Sequence, residues 1–144
     1  MKFTLILQIV FLLLIARPVF PDQIKVINQV LFEINKEAIT TYDFKNYLKL
    51  KQDLKSENLL SLVKNELQEF ILYKLCLREI ESLDLNISES DKAKTKNPDE
   101  RQFLQVQSYL KLKEKHITQI ARYNSWTDIL KRKYNYIAKI DELK

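Results

Sequence analysis

The chain has 144 residues with a single cysteine, a single histidine and no glycine, and it carries a formal charge of +5; that length suits about one domain with its own core. Rossmann and P-loop enzymes are excluded, because both bring backbone up to phosphate through glycines, and one thiol cannot form an intramolecular disulfide. The excess falls to +3 once Lys2 and Arg17 of the leader are set aside, and it is spread along the sequence rather than gathered in blocks, which argues against nucleic acid as a partner.

Lys2 precedes an apolar run from Phe3 to Ala16, broken only by Thr4 and Gln8 and ended by Arg17-Pro18. This is the layout of a secretory signal. The run is shorter than the roughly 20 apolar residues that a spanning helix needs. The expected division is a signal peptide over residues 1–21 and a helical domain over residues 22–144, exported to the periplasm. Arg17 to Pro21 lacks the usual spaced pair of small residues for cleavage, so a retained leader that tethers the domain to the inner membrane stays open.

Val30, Phe32 and Ile34 alternate at strand spacing, and Asn35-Lys36 predicts a tight turn because asparagine tolerates the left-handed conformation. Ala38 and Ile39 then form the return strand. Thr40 is placed to cap a helix, with Asp43 three positions on. That helix is expected from Thr41 to Leu54, with Phe44, Tyr47, Leu48 and Leu54 on its apolar face.

A longer helix is expected from Leu59 to about Leu83. Between Phe70 and Leu77 its apolar groups point almost all round the axis, the mark of a helix packed on several sides. Cys76 lies inside this run and reads as a buried, inert thiol. Leu85 and Ile87 are expected to tuck inward, and Ser88 with Asp91 has capping-box spacing. Pro98, followed by Asp99 and Glu100, opens the next helix, whose face continues through Phe103, Val106, Leu110, Ile117 and Ala121, with an interruption at Lys113 to His116 as the alternative. Asn124 is expected to end it, and Ser125 with Asp128 to cap a last helix carrying Trp126, Ile129, Leu130, Tyr134, Ile137 and Ile140 inward. The predicted fold is mainly α, a short N-terminal β-hairpin followed by about five helices.

Chemistry is sparse. His116, among Lys113, Glu114 and Lys115, reads as a solvated residue at a helix end, with a metal ligand or a pH switch as the weaker alternatives. Glu79, Glu81, Glu89 and Asp91 are accounted for by helix faces and caps. Tyr134 and Tyr136 beside Lys131, Arg132 and Lys133 fit an amphipathic helix better than a base-stacking platform. No catalytic set, metal site or cofactor is expected. Seven Phe, seven Tyr and Trp126 are a generous aromatic allotment for a helical domain; most belong to the core, and a small domain with this much apolar surface can also leave part of it exposed as a binding groove.

The stretch Val30 to Phe44, with Phe32, Ile34, Asn35, Glu37, Ile39, Thr40 and Asp43 in place, resembles the opening of the SurA-type periplasmic chaperones. The likeness extends through the long helix, the break from Leu75 to Asp91 and the paired helices from Ile117 to Ile140. It departs at Lys36 and Asn124, where the family commonly has glycine, and it includes no parvulin-type isomerase domain. The resemblance implies a SurA N-terminal-domain-like fold and an ATP-independent holdase for unfolded outer-membrane or secreted polypeptides, without enzymatic activity and possible as a homo-oligomer. Phe44, Tyr47, Phe70 and Tyr73 are the client-binding candidates, set against ordinary core packing. The alternative is a membrane-tethered adaptor or assembly subunit that holds one specific folded partner.

Overall fold

The computed structural model describes residues 28–85, 95, 97–117 and 119–143. The leader over residues 1–21 and the Ser88 to Asp91 cap lie outside them. In chain order the elements are β1 (Val30–Ile34), β2 (Glu37–Thr40), α1 (Thr41–Asp53), α2 (Glu66–Ser82), α3 (Pro98–Glu114), α4 (Ile120–Lys133), β3 (Ile137–Ala138) and a 3-10 turn (Asp141–Leu143).

The expected hairpin forms, with Asn35 at φ 50° and Lys36 at φ 69° supplying the two left-handed residues of its turn. Val30 pairs with Thr40 and Phe32 with Ile39, and the register shifts between them. That irregularity lets the consecutive residues Leu31 and Phe32 both be buried. Thr40 caps α1 as expected: its backbone N–H donates to the Asp43 carboxylate at 2.8 Å, and its hydroxyl oxygen accepts from the Asp43 N–H at 3.5 Å.

The expectation of a lone hairpin followed by about five helices is corrected in three places. First, four α-helices occur among the described residues. The boundary expected at Asn124-Ser125 is helix interior, because the Ser125 hydroxyl donates back to the Ala121 carbonyl at 3.0 Å instead of capping anything. The actual break falls earlier: the Ile117 N–H closes the last turn of α3 on Lys113 and Glu114, and Gln119 is extended.

Second, α2 starts at Glu66 rather than Leu59. Asn65 accepts from the Leu67 and Gln68 N–H groups, while the Glu69 carboxylate takes the Leu59 N–H at 2.7 Å and holds the preceding segment as a loop. Third, the α-helix does not continue past Tyr134. Asn135, at φ 49°, ends α4 in a Schellman turn, its N–H reaching the Arg132 carbonyl and that of Tyr136 the Lys131 carbonyl. The freed segment runs back as β3 against β1, Phe32 opposite Ala138, and makes a three-stranded antiparallel sheet in the order β2-β1-β3.

The same C-terminal device closes α1 at Lys55, φ 48°, and α2 at Asp84, φ 47°. A chain without glycine thus places lysine, aspartate and asparagine in the left-handed positions. α2 is the central helix, packed against α1, α3 and α4, and Phe70, Ile71, Leu72, Leu75 and Cys76 are buried on it. Leu85, expected inside, is exposed.

Candidate functional site

The four aromatic candidates gather in one place. Phe70 of α2 lies 5.2 Å from both Phe44 and Tyr47 of α1, ring centroid to centroid, and Tyr47 lies 5.0 Å from Tyr73, which continues to Phe103 of α3 at 5.8 Å. Phe70, Tyr47 and Tyr73 are buried and Phe44 is half-buried against them. The cluster cements α1, α2 and α3 through offset ring contacts. Edges of Tyr47, Phe70 and Tyr73 reach the floor of a cleft of about 380 Å³ whose walls are polar, among them Asp43, Lys49, Asp53, Lys74, Asp99 and Gln102.

These phenols do no acid–base work near neutrality. Burial, and then the Glu69 carboxylate, push the Tyr47 hydroxyl far above its ordinary value; burial, and then Asp99, do the same to Tyr73. Burial with Glu79 nearby raises the Cys76 thiol, which matches the inert reading of this residue. Among the described residues no three His, Cys, Asp or Glu side chains are placed to hold a metal ion, and no helix is long and apolar enough to cross a membrane.

Two carboxylates have partners that sequence reasoning missed. Glu69 is fully buried and accepts from Lys51 Nζ and from the Leu59 N–H, each at 2.7 Å, while Lys51 also donates to Asn58 at 2.8 Å. One buried charge therefore organises the whole α1–α2 loop. Glu79 accepts from Lys133 Nζ at 2.8 Å and from the Tyr134 hydroxyl. Partial burial works against its charge, yet the hydrogen bonds from Lys133 and Tyr134 hold the carboxyl below its ordinary value. Both arrangements are structural, pinning a loop and the end of α4 onto α2.

The apolar opening lies elsewhere, where the end of α3 meets α4. Ile117, Ala121, Trp126 and Ile129 line a groove of about 480 Å³, bordered by Lys113, His116, Arg122 and Ser125. That volume falls within the range of ligand-binding clefts, about 300–1,000 Å³. Its shape follows from the local sequence. α4 turns Tyr123, Thr127 and Leu130 toward the core, so Ile129, adjacent to Leu130, is carried outward and is 56% exposed. Trp126 is only half-buried and Ile117 forms the floor.

Trp126, expected to face inward, does pack against the core with part of its surface exposed, whereas Ile129, also expected inward, faces out. The signal available was the pair Ile129-Leu130, since adjacent helical positions are about 100° apart and both cannot sit on one narrow face. His116, expected at a helix end, is exposed there on the groove's border. Comparison with family models, with curated proteins and with solved structures finds no match to this chain.

Proposed function

We propose that the protein works by reversible, non-covalent binding of unfolded polypeptide, as an ATP-independent periplasmic chaperone-like domain for outer-membrane or secreted chains. The observation that carries this reading is the groove of Ile117, Ala121, Trp126 and Ile129, an apolar concavity open to solvent on a domain whose other large aromatics are mostly spent on the core. Water released from Trp126 and Ile129 drives binding, roughly 1–3 kcal/mol for each large side chain covered. Contacts of that size hold apolar segments without sequence stringency and let them go again. The leader motif supports export, and the absent catalytic set in the sequence supports action by contact.

The groove's modest size, enough for a few side chains, favours a second reading in which a membrane-tethered form seats one folded partner there. Light scattering separates the two. The protein, without nucleotide, is expected to delay aggregation of a denatured outer-membrane protein at near-stoichiometric ratio, and Ile129→Asp to abolish the delay. No delay at several-fold excess overturns the chaperone reading, and recovery of a single stoichiometric partner supports the adaptor.

A further inference from the structure

We infer that the α3–α4 groove selects polypeptide segments in which bulky aliphatic side chains are flanked by carboxylates. This assignment presupposes polypeptide binding at the groove and adds its selectivity. Two cations, Lys113 and Arg122, lie among the residues that line the groove, beside the imidazole of His116. None of the described residues lining the groove is acidic.

Lys113 comes from the end of α3 and Arg122 from the first turns of α4, so both elements contribute a cation to the apolar groove. Lys113 is steadied by the Tyr109 ring, 5.4 Å from its Nζ. Ala121 leaves room on the wall where a larger side chain would stand. A concave apolar floor with a cationic border fits an amphipathic segment that inserts Leu or Ile and presents Glu or Asp outward. A basic segment meets like charge at Lys113 and Arg122, which discriminates against it.

Trp126 is the only tryptophan of the chain, so its emission reports occupancy of this groove. The test titrates the full-length protein with a short amphipathic Leu/Glu peptide, with the same peptide carrying Lys for every Glu, and with phosphatidylglycerol vesicles. The Glu peptide is expected to shift Trp126 emission saturably and to bind about tenfold more tightly than the Lys peptide at low ionic strength, a ratio that shrinks as salt is added. The double variant Lys113→Glu, Arg122→Glu is expected to reverse the preference with unchanged circular dichroism, and Ile129→Asp to weaken both peptides.

Equal affinity for the two peptides overturns the charge selection and leaves polypeptide binding standing. A response to vesicles and to neither peptide overturns it in favour of a membrane surface. Silence from every probe while aggregation is still suppressed places clients elsewhere and also overturns it; silence together with no suppression removes the underlying polypeptide-binding reading as well.

Discussion

The carboxamides of Asn35 and Asn135 meet at 3.3 Å, Nδ2 of Asn135 donating to Oδ1 of Asn35, although the residues are a hundred positions apart. Both are in the left-handed conformation, one in the hairpin turn and one at the end of α4. The Asn35 N–H also donates to the Tyr134 carbonyl at 2.8 Å. The β1–β2 turn is thereby fastened to the C-terminus of α4. Asn135→Ala removes the side-chain bond and puts a Cβ-bearing residue without local hydrogen bonding into that conformation, and should cost about 1–2 kcal/mol in urea unfolding. Asn135→Gly keeps the backbone relaxed and should cost less than half of that.

Lys36 and Lys55 occupy left-handed positions with no side-chain compensation of the kind asparagine provides. Lys36→Gly and Lys55→Gly should each stabilise the fold by about 0.5–1 kcal/mol, the relief of strain exceeding the flexibility added to the unfolded chain. Thermal melts of the two variants and their combination check this, and additivity is expected because the sites lie in separate turns.

Removal of Glu69 takes the acceptor from the Leu59 N–H and the carboxylate partner from Lys51, which keeps its bond to Asn58. Glu69→Ala should destabilise by about 3–5 kcal/mol, whereas the paired change Lys51→Met, Glu69→Leu should recover a large part of the loss. Chemical denaturation measures both. Exchange of the amide of Leu59 should accelerate in Glu69→Ala, since it loses its buried acceptor.

The Glu79 carboxyl is held below its ordinary value, and hydrogen bonding with Glu79 and then Tyr134 raises the Lys133 ammonium. A lowered carboxyl contributes stability that is present above its unfolded pKa, ordinarily 4.5, and is lost as pH falls through the folded value. A raised ammonium contributes stability that is complete below its unfolded pKa, ordinarily 10.5, and is lost as pH climbs through the folded one. The stability difference between the wild type and Glu79→Gln should therefore be flat near neutrality, shrink below about pH 4.5 and shrink again above about pH 10.5. Denaturant melts across that range give the curve.

Phe70 and Ile129 should separate architecture from binding. Phe70→Ala opens the centre of the aromatic cluster and should cost about 3–5 kcal/mol. Ile129→Asp, at an exposed position, should change the melting midpoint little, within about 0.5 kcal/mol, while abolishing suppression of client aggregation. A destabilised Ile129→Asp with intact suppression would return Ile129 to the core and dismiss the groove.

Local signals carried much of the fold. Asn35-Lys36, the Thr40–Asp43 cap, Pro98 at the start of α3 and the all-round apolar run of α2 were readable because each depends on neighbours within a few residues. What was not readable depends on partners far along the chain. Nothing near Glu69 announces that Leu59 and Lys51 need its carboxylate, and nothing near Ile137 announces β1 as its partner. The four aromatic candidates are among the bulkiest side chains, and bulk in a small domain is drawn first into the core. The groove arises from which side of α4 the core claims, and Tyr123, Thr127 and Leu130 decide that together.

β1 is the middle strand, and its second neighbour, β3, follows it by more than a hundred residues. Pairing of β1 with β2 closes a two-residue turn, whereas pairing with β3 closes a loop that contains all four described helices. The sheet is therefore completed by its most non-local contact, and β1 keeps one open edge until the helices between the two strands have packed.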